Sequence, residues 1–264
     1  MTEMDRLISL DKSISGHPPQ ERGTFERIFR PMAAKFVGVA LFVFVGCCAL
    51  NSGDLVGAAL GHGLTIALLI VGFGAISGGH FNPAVTVGVI MGGGLPVYLL
   101  PSNIIAQLGG GMLGASIVRA TLPSEVYAKI GGGTHQLGKD VNAGWGFLIE
   151  VVLTTVLVLT VLMAAVNNQT KSKLAPLAIG FAVSVDIMAG GPLTGASMNP
   201  ARAFGPAVVA SSVVDNAWRY HYIYWLGPLC GALLAALLFR FIFLSPNIRW
   251  ISRRETSLQA EGNN

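Results

Sequence analysis

The chain has 264 residues, 52% of them hydrophobic and 11% charged, with a formal net charge of +4. A soluble domain carries about 25% charged residues, so this composition excludes an ordinary water-soluble globule and points to a membrane. The basic excess sits in tails and short loops, which argues against a nucleic-acid face. The three cysteines (Cys47, Cys48, Cys230) lie in hydrophobic stretches and form no disulfide framework.

Taken in order, residues 1–30 are polar, mixed in charge and contain Pro18-Pro19. Lacking an apolar core, they read as a tail and not a signal peptide. A membrane helix needs about 20 apolar residues. Spans of that kind are expected at 32–51, 55–76, 97–120, 144–166, 174–189 and 220–244. A long loop, 121–143, carries Gly131-Gly132-Gly133 and His135; a single histidine there is assigned neither a metal nor a gate. A short basic loop, 167–173, separates the fourth and fifth spans, and 246–264 form a polar tail. The membrane unit is thus 31–245, with repeats at about 31–120 and 144–245.

Lysine and arginine in the loops set the orientation. Arg6, Lys12, Arg22, Arg27, Arg30, Lys171, Lys173, Arg249, Arg253 and Arg254 fall on one side of six spans. Lys129, Lys139 and Arg219 fall on the other. Both termini are therefore expected to be cytoplasmic, in the plasma membrane by default and with intracellular membranes left open.

Between the spans, one stretch is written twice. Ser77-Gly78-Gly79-His80-Phe81-Asn82-Pro83-Ala84 and Thr194-Gly195-Ala196-Ser197-Met198-Asn199-Pro200-Ala201 align without a gap, 117 residues apart. Asparagine is a good N-cap and proline suits the first helical position, so each copy predicts a Gly-rich loop entering a short helix. Gln107-Leu108-Gly109 and Trp225-Leu226-Gly227 repeat at 118. Irregular backbone at membrane depth is tolerated only where it lines a cavity or is buried in protein. Interrupted segments in corresponding halves place a site at the repeat interface, near the midplane. With three spans per half the halves are inverted, and two half-helices meet by their positive N-terminal ends. Backbone carbonyls of Gly78, Gly79, His80, Gly195 and Ser197 would form an acceptor ladder.

Two Asn-Pro-Ala motifs, Asn82-Pro83-Ala84 and Asn199-Pro200-Ala201, the second followed by Arg202, resemble the aquaporin (major intrinsic protein) family over roughly 31–245. The resemblance implies an all-α membrane protein of six transmembrane helices and two re-entrant half-helices, a homotetramer in the lipid bilayer, with no cofactor, no metal and no enzymatic activity. By the family's spacing its constriction falls on His62, Ile187, Ala196 and Arg202. That set departs from the strict water-channel pattern and resembles the ammonia- and peroxide-permeable, aquaporin-eight type branch. The implied function is passive conduction of water and small neutral solutes, ammonia and hydrogen peroxide included, with protons and ions excluded. The rivals are a strictly water-selective pore and, in another class, an ion-coupled secondary transporter with inverted repeats.

The family's loop-supporting carboxylate in the fourth span is present as Glu150. Its first-span counterpart is Lys35, which donates and cannot accept. Lys35 is expected to snorkel to the cytoplasmic face. Asp186 is expected to be a hydrogen-bonded structural carboxylate beside the constriction.

Overall fold

The computed structural model describes residues 23–244. The tails, with Arg6, Lys12, Arg22 and the three C-terminal arginines, lie outside the described residues. Within them run α1 (Arg30–Ala49), α2 (Leu55–Ser77), α3 (Pro83–Gly92), α4 (Leu100–Thr121), α5 (Ser124–Lys129), α6 (Ala143–Val161), α7 (Ala175–Thr194), α8 (Pro200–Ala210) and α9 (Ile223–Leu238). Side-chain caps start several of them. Asp54 accepts from Gly57 N at 2.7 Å, and Asn142 accepts from Trp145 N at 2.9 Å.

Five of the long helices, with their terminal turns, are long and apolar enough to cross a membrane. The sixth, α4, is long enough at 22 residues but more polar. Its Asn103 and Gln107 are turned inward and buried, so the polarity faces protein and not lipid. Six long helices and two short apolar ones make a multi-pass membrane protein, as the spacing of the hydrophobic segments predicts.

The packing repeats with the sequence. In the first half α1 packs chiefly on α4, and in the second α6 on α9, while α2 and α7 meet across the centre. Each short helix packs on the last span of the opposite half, α8 on α4 and α3 on α9. Glycines make these approaches close enough for backbone contact. A Cβ on Gly110 would stand 2.3 Å from the Phe36 carbonyl oxygen, and one on Gly231 2.4 Å from that of Val151. At the centre the contact is reciprocal. A Cβ on Gly63 would meet the Gly180 carbonyl at 2.3 Å, and one on Gly180 would meet the Gly63 carbonyl at 2.5 Å. Gly63 and Gly180 are 117 apart, as are Gly110 and Gly227, and Gly114 and Gly231. The third and sixth spans therefore repeat at the motif offset and not at 118.

Two boundaries differ from the sequence reading. The fifth span continues past 189 to Thr194, through Gly190, Gly191 and Pro192. Those glycines are packing sites: a Cβ on Gly190 would lie 2.4 Å from Leu153 and one on Gly191 2.6 Å from Leu55. Residues 121–143 are not one open loop, since α5 and a tight turn at Gly131–Gly133 occupy its first half.

Candidate functional site: the junction of the two half-helices

Asn82 and Asn199 sit at the starts of α3 and α8 in extended backbone, each followed by proline. Each side-chain oxygen accepts from its own helix: Asn82 from Ala84 N (2.8 Å) and Val85 N (3.4 Å), Asn199 from Ala201 N (3.0 Å) and Arg202 N (3.3 Å). The amide nitrogens cross over. Asn82 Nδ2 donates to the Met198 carbonyl at 2.8 Å, and Asn199 Nδ2 donates to the Phe81 carbonyl at 3.0 Å. The two motifs thus lock each other at their tips. An amide nitrogen carries two donors, so each asparagine keeps a second N–H beside the cavity it lines.

Two cavities meet there. The larger, about 350 Å³, includes Gly78, Gly79, His80, Asn82 and Asn199 in a wall otherwise dominated by apolar residues such as Ile66, Leu157 and Val161. The smaller, about 40 Å³, is bounded by His62, His135, Ile187, Ala196, Ser197 and Arg202, with Gly195 also on its wall. The four residues that the family's spacing implies, His62 from α2, Ile187 from α7, Ala196 from the second loop and Arg202 from α8, thus converge on one small space. Phe42, Val183, Ser197 and Met198 border both cavities. Of the five carbonyl residues, Gly78, Gly79 and His80 line the larger cavity, Gly195 the smaller, and Ser197 both. The His80 carbonyl accepts from Gln107 Nε2 at 2.8 Å, and the same nitrogen reaches Thr86 Oγ1 at 2.9 Å. That carbonyl is held toward α4, a departure from the continuous ladder.

Arg202 is 3% exposed. Its Nη1 donates to the Gly133 carbonyl at 2.7 Å and its Nε to His62 Nε2 at 3.2 Å. Guanidinium only donates, so His62 Nε2 accepts and the imidazole proton lies on Nδ1, which donates to the Ala58 carbonyl at 2.8 Å. Phe42 meets the His62 ring edge-on at 5.7 Å. With His62 and Arg202 tied together, Ile187 and Ala196 bring apolar side chains to the same space.

His135 and Gly133 are the site residues that sequence reasoning missed. The run Gly131-Gly132-Gly133 takes positive φ throughout, a backbone path that L side chains resist. It carries the loop down to the small cavity, where the His135 ring rests 5.2 Å from Tyr224. Burial first and the Arg202 charge second push the His135 imidazole well below its usual range, which keeps it neutral. The glycine run was the available signal; its depth was not readable from it.

The loops are held differently. Glu150 is fully buried and accepts from Thr194 Oγ1 (2.7 Å), Ser197 N (2.9 Å) and Met198 N (2.8 Å). Lys35 does not snorkel. It is 2% exposed, and its ammonium donates to the Ser77 carbonyl. The reason is proximity: the first loop passes beside α1 and offers a carbonyl within reach. Asp186 is also buried, but its Oδ2 has no hydrogen-bond partner, contrary to the expected hydrogen-bonded carboxylate.

Comparison with known proteins agrees with this architecture. The family model described as Major intrinsic protein matches residues 24–239. Aquaporin-8 of Notomys alexis is 44% identical over 234 residues, covering 86% of this chain and 87% of that protein. Aquaporin TIP4-4 of Zea mays is 36% identical, over 82% of this chain and 87% of that one. Among solved structures, the aquaglyceroporin from Plasmodium falciparum superposes with a TM-score of 0.71 at 21% identity, covering 81% of this chain and 96% of that one, a likeness of fold. The duplicated motif, the repeated packing and these matches give one conclusion: the chain belongs to the major intrinsic protein (aquaporin) family, and is a multi-pass membrane channel and not an enzyme.

Proposed function

We propose that the chain passively conducts water and small neutral solutes, ammonia and hydrogen peroxide among them, and excludes protons and ions. The observation that carries the reading is the small cavity: His62 and Arg202 are bonded to each other on its wall, and Ile187 and Ala196 contribute apolar surface. Such a constriction is polar on the His62–Arg202 side and apolar on the other, which suits small neutral molecules that need only part of their hydrogen bonds replaced and disfavours ions that need a full shell. The facing N-terminal ends of α3 and α8, with the spare N–H of Asn82 and Asn199, orient a passing water by its oxygen and oppose a cation. The proposed filter is His62, Ile187, Ala196 and Arg202, with Asn82 and Asn199 at the midpoint. The proposed assembly is a homotetramer with one pore per subunit, both termini cytoplasmic, in the plasma membrane by default.

A strictly water-selective pore is the second reading, favoured by the 40 Å³ size of that cavity. Proteoliposomes given an osmotic step and an ammonia gradient in one stopped-flow preparation separate the two. Fast shrinkage with fast internal alkalinisation supports the broader channel. Fast shrinkage without alkalinisation leaves the water-selective reading and removes the solute claim.

A further inference from the structure

Lys35 is a buried ammonium, and the described residues supply no carboxylate to neutralise it. The sole ion pair among them joins Arg30 to Glu26. A buried charge without a counter-charge is costly. Beside Lys35 lies a third cavity of about 180 Å³, between the start of α1, the first loop and the start of α4. Arg27, Lys35, Ser77, Leu95, Leu99 and Asn103 are on its wall. Asn103 is 5% exposed, and its Nδ2 has no hydrogen-bond partner.

The chemistry of that wall is one-sided. Lys35 has donors beyond the one given to Ser77, Arg27 adds a guanidinium, and Asn103 adds an amide N–H that nothing accepts. Two positive charges and an idle donor around one cavity match a compact dianion with several acceptor oxygens. Leu95 and Leu99 give the rest of the wall an apolar surface, suited to an organic group attached to that anion. We infer that this cavity binds a terminal phosphate group, either free inorganic phosphate or the phosphomonoester headgroup of an acidic lipid. Gly78 borders both this cavity and the large one, so the ligand sits directly behind the wall of the pore, at a site separate from the conducting path.

The test uses the full-length purified protein. Inorganic phosphate is titrated by phosphorus NMR in detergent. In parallel, phosphatidylcholine vesicles with and without phosphatidic acid are compared for retained lipid by native mass spectrometry. Saturable binding of either probe is expected, about tenfold weaker in Arg27→Gln and in Asn103→Leu, the worth of one charge-assisted hydrogen bond. Binding should be lost in Lys35→Glu. Unchanged water flux in Arg27→Gln shows that the variant is folded. Binding of phosphate alone identifies a soluble ligand, and retention of phosphatidic acid alone identifies a lipid. No binding of either, or binding that all three variants leave intact, overturns the inference.

Discussion

The two re-entrant loops occupy equivalent places and solve one problem in opposite ways. The second loop takes positive φ at Gly195 (81°), Ala196 (48°) and Met198 (52°). Two of those residues carry side chains, and the left-handed region costs a non-glycine residue roughly 1–2 kcal/mol. Glu150 holds that backbone in place by accepting the N–H groups of Ser197 and Met198. The first loop takes positive φ only at Gly78 (79°) and Gly79 (70°), where glycine removes the strain. Its supports are donors to carbonyls: Lys35 on Ser77, Gln107 on His80 and Asn199 on Phe81. A carboxylate is needed where strained N–H groups must be gathered; a loop that glycine has relaxed can be tethered by a cation.

The sharpest way to break this comparison is at the supports. Glu150→Ala leaves two buried N–H groups unpaired, at about 1–3 kcal/mol each, so osmotic water flux in proteoliposomes should fall about tenfold or more. Lys35→Met leaves one carbonyl unpaired and removes a buried charge, and flux should fall no more than about twofold. Equal losses in the two variants would mean that the supports are equivalent and the contrast is wrong.

The half-helices give the next largest difference. A Cβ on Gly205 would lie 2.2 Å from the Gly111 carbonyl oxygen, a backbone atom. One on Gly88 would lie 2.4 Å from Val158 Cγ1, a side chain that can shift. Gly205→Ala is expected to destabilise by about 3 kcal/mol and Gly88→Ala by about 1 kcal/mol, the two ends of the overpacking range. Thermal unfolding in detergent reads the order, and a reversed order would show that α3 is the more tightly held helix.

Smallest are the aligned loop positions Gly79 and Ala196. Gly79→Ala adds a Cβ at φ 70°, 3.2 Å from Ile70, and should cost about 1–2 kcal/mol. Ala196→Gly relieves a left-handed alanine and should be neutral or stabilising by less than about 1 kcal/mol. The same unfolding assay checks both, and stabilisation by Gly79→Ala would contradict the account of strain.

What the sequence determined alone follows from local rules. Long apolar segments, a doubled Asn-Pro-Ala stretch and its 117-residue offset dictate six spans, two capped half-helices and an inverted repeat, because hydrophobic length, capping and proline placement act within a few residues of each other. The resemblance to the family also indicated His62, Ile187, Ala196 and Arg202, which line the smaller cavity. Tertiary structure alone decided the rest. It carried the fifth span past 189 to Thr194, with Gly190 and Gly191 packed against Leu153 and Leu55. It brought His135 to the small cavity and the Gly133 carbonyl to Arg202. It buried Lys35 on Ser77 and left Asp186 Oδ2 without a partner. Each of these depends on which backbone passes beside which side chain across distances of tens of residues, and periodicity along one segment carries no information about its neighbour.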